Sequence, residues 1–420
     1  MKRMVRNNWF MLLTMALVLV FSTQAFAKWH RHKPKIPNIP KTWTEVDPEA
    51  VYPDFTYNGL EPACASCPPT VNSETGKITS YDPKFTFFVK GGTTNNLVIY
   101  FQGGGACWDS MNCLYVHTYY EEVPPIEMFA DTEGRGIFDA SKGANPFKNW
   151  HMVYIPYCTG DVHWGANDMD YPDSWGLYGG VSQTIKHRGF VNFQVVLKWV
   201  EDNFSRPNNI FVSGSSAGSY GAIMGFPYIK EAFPWSRVSV LGDAGNGVTG
   251  GDFQADSINN WNIQLPTWIP GFEDGYNEHM TMDFVYEAIA KAYPFSKVAQ
   301  FTTAWDWNQT FFYNVMLNIN DPNVWPGGWP AVWCDWNEQM LGFVWNTAAE
   351  ARNYRYYIAA GQYHTIMMSP EFYTEDSAGI PFAKWVKAMV RNPFGMWGGP
   401  LQGRWKNVEC ADCEDPMPCP

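Results

Sequence analysis

Residues 210–221 read IFVSGSSAGSYG. The apolar run Ile210–Ser213 leads into a G-x-S-x-G pattern at Gly214–Gly218, and small residues that favour a helix follow it. A strand that passes through this pattern into a helix predicts a tight turn that exposes Ser216, because the small residues let neighbouring backbone approach. The helix N-terminus behind this serine favours developing negative charge. The stretch therefore predicts a nucleophilic Ser216, with a simple turn capped by Ser215 or Ser216 as the alternative.

The chain on both sides of this turn alternates between strand and helix patterns. Predicted strands are Thr86–Val89, Leu97–Phe101, Met152–Tyr157, Ile210–Ser213, Val238–Leu241, Val298–Ala304 and Tyr354–Ala360. Predicted helices are Gly189–Asn203, Ala217–Met224, Met282–Lys291 and Phe382–Val390. This alternation predicts the α/β class with a mostly parallel sheet and helices on both faces, an α/β-hydrolase-like arrangement. Residues 54–420 are interpreted as a single such domain.

Two aromatic-rich segments, residues 247–280 and 317–350, fit neither the helix nor the strand period. They are rich in Trp, Pro, Gly and Asn. Long irregular pieces of an α/β domain usually lie over the carboxyl edge of the sheet, where ligands bind. Both segments are therefore predicted to be insertions over that edge.

A second motif follows the strand Leu97–Phe101. Residues 102–108 read QGGGACW, and a glycine run after a strand, ahead of a serine turn, is where this architecture supplies backbone N–H groups to an oxyanion. Glycine suits this position because no Cβ stands between the amides and a substrate carbonyl. A phosphate-binding loop is the alternative, but the run lacks the Lys-Ser/Thr ending of a Walker motif and the G-x-G-x-x-G spacing.

A serine nucleophile needs a base, and in this architecture the chain order is serine, acid, histidine. Only His279 and His364 follow Ser216. His364 is the predicted base because a short loop joins it to the strand Tyr354–Ala360, whereas no strand precedes His279. A surface loop histidine is the alternative interpretation of His364.

The acid is expected where the preceding strand ends. Asp306 closes the strand Val298–Ala304, and its rivals are Asp243 and Asp252. Strand order favours Asp306. Asp243, after the strand Val238–Leu241, then becomes a residue of the pocket or of its surroundings.

Composition excludes several classes of protein. Of the 420 residues, 46% are hydrophobic and 17% are charged, which excludes a disordered or fibrous chain. The net charge of -12 argues against a nucleic-acid partner. Aromatic residues make up 17% of the chain, so some are expected in clefts or lids, with a Trp-rich core as the alternative.

The N-terminal segment predicts export. Basic residues precede an uncharged apolar run, and Ala25–Ala27 has the small-x-small pattern of a cleavage site, so residues 1–27 are interpreted as a signal peptide cleaved after Ala27. Residues 28–53 are rich in proline and basic side chains and are predicted to form an extended arm. No later apolar run reaches the roughly 20 residues of a membrane span. The mature protein is therefore expected to be secreted or periplasmic, with no membrane span.

Nine cysteines are expected to form disulfides in such a compartment, with at least one unpaired or bonded to another chain. The pairs Cys64/Cys67 and Cys410/Cys413 also have the C-x-x-C spacing of a zinc site. Disulfide staples near the chain ends are preferred over zinc, because the pairs are far apart in sequence and the compartment is oxidising. No metal is expected.

Taken together, five stretches resemble the pectin acetylesterase and Notum family of α/β-hydrolase carboxylesterases. They are Tyr100–Trp108, Tyr157–Asp161, Gly214–Gly218, Trp305–Gln309 and Gln362–Thr365, in family order. The resemblance implies the catalytic residues Ser216 as nucleophile, Asp306 as acid and His364 as base. It also implies an oxyanion hole formed by the amides of Gly104, Gly105 and Ala217. Trp108, Asp161 and Asp243 are candidate pocket residues.

The family commonly has an aromatic or other larger residue where this chain has Gly105. Its members remove O-acetyl groups from pectic polysaccharides or O-fatty-acyl groups from proteins. The expected function is that of a secreted serine carboxylesterase that hydrolyses O-acyl esters, O-acetyl in particular, on a polysaccharide such as pectin. The reaction would pass through an acyl-enzyme and need no cofactor. The alternatives are a lipase or polyester hydrolase with a longer acyl substrate, and an inactive hydrolase scaffold that binds carbohydrate.

Overall fold

The computed structural model describes residues 37–65, 70–71, 78–79, 83–327, 329–391, 405–410 and 419. The predicted signal peptide, residues 1–27, lies outside the described residues, as do residues 28–36 of the predicted arm. No helix in the described ranges combines the length and the apolar character that a membrane crossing needs.

Eight strands form the main sheet. They are β1 (Thr44–Val46), β2 (Phe87–Lys90), β3 (Asn96–Phe101), β4 (His151–Ile155), β5 (Asn209–Ser215), β6 (Arg237–Asp243), β7 (Lys297–Thr303) and β8 (Tyr354–Ala359). Their spatial order is β1-β2-β4-β3-β5-β6-β7-β8. β2 is antiparallel to both of its neighbours, whereas β3 to β8 are parallel throughout. The predicted α/β-hydrolase-like class with a mostly parallel sheet is confirmed.

Helices connect and cover these strands. They are α1 (Pro48–Val51), α2 (Gly189–Asn203), α3 (Ala217–Ala232), α4 (Phe253–Trp261), α5 (Met282–Ala292), α6 (Trp307–Leu317), α7 (Trp329–Glu350), α8 (Glu371–Thr374) and α9 (Phe382–Val390). Short antiparallel pairs join Asn167–Tyr171 to Gln183–His187, Thr70–Val71 to Ile78–Thr79, and Asp376–Ser377 to Ile380–Pro381.

The sheet has a hydrophobic core on each face. In β3, Leu97, Ile99 and Phe101 point into one core, and Val98 and Tyr100 point into the other, as the alternation of a strand requires. The first core also holds buried residues of α2, α3, α5 and α7, and the second holds those of α9. Because both faces are covered, the exposed place for chemistry is the edge where the parallel strands end.

Two of the predicted boundaries differ from the structure. Residues Thr44–Val46 of the predicted arm form β1 and pair with β2, so this part of the arm belongs to the sheet. The predicted irregular segment 317–350 is largely the helix α7, and α4 lies within the segment 247–280. The frequent Trp, Pro, Gly and Asn residues obscured the helical spacing of the buried side chains in α7.

The expectation of disulfides is confirmed, although Cys64 does not form a staple within its close pair. Cys64 bonds to Cys158 rather than to Cys67, and the other bonds join Cys107 to Cys113 and Cys334 to Cys419. Cys410 is also disulfide-bonded. Cys67 and Cys413 lie outside the described residues. The Cys64–Cys158 bond ties the N-terminal region to the loop after β4, a long-range pairing that sequence spacing does not reveal.

Candidate active site

Ser216 lies on the turn between β5 and α3. Its φ of 57° and ψ of -126° place a non-glycine residue in a strained backbone conformation, as the G-x-S-x-G pattern predicts. A Cβ on Gly214 would lie 2.1 Å from the carbonyl oxygen of Gly218, and one on Gly218 would lie 2.1 Å from that of Phe101. Only glycine fits either position, because both contacts are with backbone that cannot move aside.

The glycine loop after β3 packs directly against this turn. A Cβ on Gly103 would lie 2.3 Å from the carbonyl oxygen of Ser215, so the two backbones are in contact. Gly104 and Gly105 line the larger of two cavities at the site, and Gly105 and Ala217 line the smaller one. No described residue accepts a hydrogen bond from the amides of these three residues. Amides without a partner among the described residues, beside Ser216, suit the binding of an oxyanion.

Gly105 has a structural reason to be glycine in this chain. Its φ is +77°, and a Cβ there would lie 2.0 Å from the carbonyl oxygen of Thr118. The same Cβ would lie 3.1 Å from Cζ of Phe312, a ring that lines both cavities. The Phe312 ring therefore forms the part of the cavity wall next to Gly105, the position at which the family commonly has a larger residue.

His364 follows β8 and is held by a buried carboxylate. Its Nδ1 lies 2.9 and 2.8 Å from the two oxygens of Asp306, which is fully buried. Asp306 also begins α6, where its Oδ1 accepts hydrogen bonds of 3.0 Å from the backbone N–H groups of Asn308 and Gln309. The Gln309 side chain donates to Oδ2 at 3.0 Å. The carboxylate is thus fixed by its own helix and can orient the imidazole.

The charges around His364 raise the pKa of its imidazole. Burial lowers the pKa of His364, but the charge and hydrogen bond of Asp306, together with the charge of Asp243, outweigh burial and raise it above its ordinary value. Nε2 of His364 is buried and has no hydrogen-bond partner among the described residues. The nitrogen opposite Asp306 is therefore open to accept a proton at the cavity wall.

Ser216 and His364 lie where two cavities meet. The smaller cavity, of about 80 Å³, is mostly apolar, and the larger one, of about 490 Å³, has a mixed polar and apolar lining that includes the glycine loop. Both are lined by Gly105, Ser216, Asn308, Phe312 and His364. The smaller cavity takes its apolar wall largely from the aromatic-rich segments, including Phe253, Trp261, Met280 and Trp336. A group bound at Ser216 can thus extend one part into each cavity.

Asp243, the rival acid, does not contact the imidazole through a hydrogen bond. Its carboxylate, at the end of β6, is fully buried and accepts hydrogen bonds from the Ser215 hydroxyl and from two backbone N–H groups of Ile366–Met367, at 3.0 and 2.9 Å. Its backbone oxygen accepts from the Ser216 N–H at 2.7 Å. Asp243 therefore joins the serine turn to the segment that follows His364.

Asp243→Asn should lower kcat by about 10- to 100-fold with KM within about twofold, because the carboxylate positions the reacting groups and does not line either cavity. Burial raises the pKa of Asp243 to about 6, and its charge raises the pKa of His364. The acid limb of the pH–rate profile should therefore move to lower pH in the variant. Steady-state kinetics on p-nitrophenyl acetate would measure both effects. A raised KM at unchanged kcat would instead indicate that Asp243 contacts substrate.

The three candidate pocket residues, Trp108, Asp161 and Asp243, line neither cavity. Trp108 is buried beneath the site, where its ring packs edge-on against Phe253. Asp161 is fully buried and accepts hydrogen bonds from the Thr159 hydroxyl and from loop amides. All three are buried side chains that support the framework around the cavities and do not contact the cavity space.

Sequence reasoning missed two groups that shape the site. Gln309 bonds to Asp306 and to the backbone N–H of Asn246, which links α6 to the loop after β6. Tyr120 donates its N–H to the Gly104 carbonyl at 2.8 Å and is largely exposed at the larger cavity. The position of Gln309 three residues after the predicted acid was a usable signal, whereas nothing near Tyr120 in sequence pointed to the glycine loop.

Comparisons with known proteins agree with the predicted family resemblance. Residues 82–262 match the pectinacetylesterase family. Pectin acetylesterase 11 of Arabidopsis thaliana is 26% identical over 170 residues, which cover 40% of this chain and 41% of that protein. Human palmitoleoyl-protein carboxylesterase NOTUM is 25% identical over 158 residues, which cover 35% of this chain and 29% of that protein. The chain thus matches less than half of the length of these curated relatives.

A solved structure also shares the fold. The Wnt deacylase Notum from Drosophila aligns with a TM-score of 0.51 at 14% identity, and the alignment covers 78% of this chain and 93% of that chain. At this identity the likeness concerns the fold alone. With the family match and the curated relatives, the predicted resemblance to the pectin acetylesterase and Notum family is confirmed.

Proposed function

We propose that this protein is a secreted serine carboxylesterase that removes short O-acyl groups, O-acetyl in particular, from a polysaccharide through an acyl-enzyme. The observation that carries the proposal is the junction of the two cavities. There a strained serine, an imidazole with an open Nε2 and three unpaired amides converge, and Asp306 holds the far side of the imidazole. The relatives named pectin acetylesterase and carboxylesterase support ester hydrolysis.

The proposed mechanism has two acyl-transfer steps. His364 Nε2 takes the proton of the Ser216 hydroxyl as its oxygen attacks the ester carbonyl, and Asp306 stabilises the imidazolium that forms. The amides of Gly104, Gly105 and Ala217 stabilise the tetrahedral oxyanion. Nε2 then protonates the departing alcohol, which leaves an acyl group on Ser216. Water, deprotonated by the same nitrogen, releases the acid and restores the serine.

The size of the apolar cavity supports a short acyl group. At about 80 Å³ it is roughly half of the ~150 Å³ apolar cavity that accepts one benzene molecule. An acetyl group fits such a space, whereas a chain of sixteen carbons does not. The wall on this side is apolar and partly made by Met280, Met316 and Trp336, which suits the methyl end of an acyl group.

The larger cavity supports a polar alcohol such as a sugar. Gln102, Thr118 and Thr365 are among its lining residues, so polar groups are available there to a polyhydroxylated ligand. Trp175 is half-exposed and stacks on Tyr115, two residues before the cavity residue His117, with ring centroids 4.6 Å apart and an interplanar angle of 7°. An exposed aromatic face of this kind suits stacking on a sugar ring.

Export remains part of the proposal. Three disulfides are formed between described residues, and Cys410 is bonded as well, which suits an oxidising compartment. The predicted cleavage after Ala27 would release the chain into such a compartment.

A chain-length series of p-nitrophenyl esters tests the proposed acyl specificity. We expect kcat/KM to be greatest for the acetate, lower for the butyrate and about 100-fold lower for the palmitate, because forcing extra methylenes into a packed site costs about 1–3 kcal/mol. Met316→Ala, which removes apolar wall from the smaller cavity, should raise the butyrate rate relative to the acetate rate. A preference for palmitate would favour the lipase alternative, and no hydrolysis of any ester would favour an inactive carbohydrate-binding scaffold.

A further inference from the structure

A second carboxylate–imidazole pair lies at the larger cavity, with its histidine, His117, in the cavity lining. Nδ1 of His117 lies in hydrogen-bond contact with a carboxylate oxygen of Glu121, four residues later. Glu121 is buried with 7% exposure, and the His117 side chain is 22% exposed. No described residue forms a hydrogen bond with Nε2 of His117. The pair thus resembles His364 and Asp306 in layout, with one ring nitrogen fixed by a carboxylate and the other left open.

The segment that carries His117 is fastened to the glycine loop. Thr118 accepts a hydrogen bond from the Ala106 N–H at 3.2 Å, and its hydroxyl donates to the Ala106 oxygen at 2.7 Å. Tyr120 N–H donates to the Gly104 oxygen at 2.8 Å. His117 itself has a φ of 52°, a left-handed conformation that non-glycine residues seldom adopt. The imidazole is therefore held in one place relative to the amides of the glycine loop.

The position of His117 assigns it to one side of the ester. It lines the larger cavity together with Ser216 and His364, and it does not line the smaller apolar cavity. If the acyl group occupies the smaller cavity, the alcohol portion of the ester lies in the larger one. His117 therefore faces the alcohol portion and not the acyl group.

The contact with Glu121 determines what His117 offers to that alcohol. Because a carboxylate faces Nδ1, the proton of the neutral imidazole lies on Nδ1 and Nε2 is an acceptor. A hydroxyl group beside the ester could donate to this nitrogen, whereas an alcohol without further hydroxyl groups could not. The pair is therefore suited to recognising a polyol through a hydrogen bond from one of its hydroxyl groups to Nε2 of His117.

We propose that His117, oriented by Glu121, binds a hydroxyl group on the alcohol portion of the ester and thereby selects esters of polyols, such as sugars, over esters of simple alcohols. This inference rests on the proposed function, because it requires the ester to bind between the two cavities. His117 is a specificity-determining residue in this account, while His364 remains the base.

The test compares two substrates in the full-length protein. One is p-nitrophenyl acetate, whose alcohol portion has no additional hydroxyl group, and the other is a mono-O-acetylated methyl glycoside with its remaining hydroxyl groups free. His117→Ala should lower kcat/KM for the glycoside by about 10-fold, mainly through KM, which is the size of one lost hydrogen bond. The same variant should hydrolyse p-nitrophenyl acetate at nearly the wild-type rate. Glu121→Gln should reduce glycoside hydrolysis less, because its amide oxygen can still accept from Nδ1.

His279→Ala is the matched control, since His279 is a highly exposed histidine that lines neither cavity. It should alter neither rate. An equal loss of kcat/KM on both substrates in His117→Ala would indicate a structural role for His117. No loss on either substrate would show that His117 does not contact the ester. Either result would overturn the inference. If the wild-type protein hydrolyses p-nitrophenyl acetate, the proposed esterase activity stands whatever these variants show. Hydrolysis of neither ester by the wild type would contradict the proposed function and this inference together.

Discussion

Ser216→Ala should lower kcat for ester hydrolysis by about 10⁶-fold and abolish covalent labelling by a fluorophosphonate. The serine oxygen is the only protein atom in the proposed mechanism that bonds to the acyl group, so no neighbouring side chain replaces it. The thermal midpoint should be nearly unchanged, because the Ser216 hydroxyl forms no hydrogen bond with the described residues. Hydrolysis rates, labelling and a thermal scan on the same preparation measure the three effects.

Ser215→Ala is the matched control in the same turn. The Ser215 hydroxyl is engaged by Asp243 and by the Tyr100 hydroxyl, so it is not free to attack an ester. This variant should still be labelled and should lose far less activity than Ser216→Ala. Retained labelling in Ser216→Ala would show that another residue is the nucleophile.

Asp306→Asn should lower kcat by about 10⁴-fold with little change in KM. The carboxylate fixes the Nδ1 proton of His364 and stabilises the imidazolium. In asparagine the amide oxygen is held by the N–H groups of Asn308 and Gln309, so the NH2 group faces Nδ1, and the neutral side chain cannot stabilise the imidazolium. The variant should remain folded, because asparagine also serves well at the start of a helix, where Asp306 caps α6. Steady-state kinetics with a thermal scan would separate the catalytic loss from a loss of stability.

The pH dependence provides a second measurement on the same variant. His364 must be neutral to accept the serine proton, so activity is lost as the pH falls through its pKa. Asp306 raises that pKa, and the neutral amide removes this effect. The acid limb of the residual activity should therefore lie at lower pH in Asp306→Asn than in the wild type. If kcat fell more in Asp243→Asn than in Asp306→Asn, the acid would be Asp243, at the end of β6.

The serine turn could be predicted from the sequence because its determinants are local. The strand, the two glycines and the helix of residues 210–221 impose the conformation of Ser216 within a few residues. The order of the strands placed His364 and Asp306 at the same edge, and the structure brings them into hydrogen-bond contact. The local sequence pattern and the order of the strands were therefore enough to predict the positions of the proposed reacting groups.

What surrounds those groups could not be predicted in the same way. The role of Asp243 depends on residues more than a hundred positions later, whose backbone amides bind its carboxylate. The cavity walls depend on how the aromatic-rich segments fold back, and α7 was missed although Trp333, Trp336 and Met340 are buried at helical spacing. Such contacts are set by tertiary packing, which a single sequence records only weakly.

The measurement that tests the central claim most directly is peptide mass spectrometry of the wild-type protein after reaction with a fluorophosphonate. We expect one equivalent of adduct, carried by Ser216 on the peptide that spans β5 and α3, with hydrolysis of p-nitrophenyl acetate lost in proportion to labelling. An adduct on a different serine, or full inactivation without any adduct on Ser216, would contradict the proposed nucleophile and the mechanism built on it.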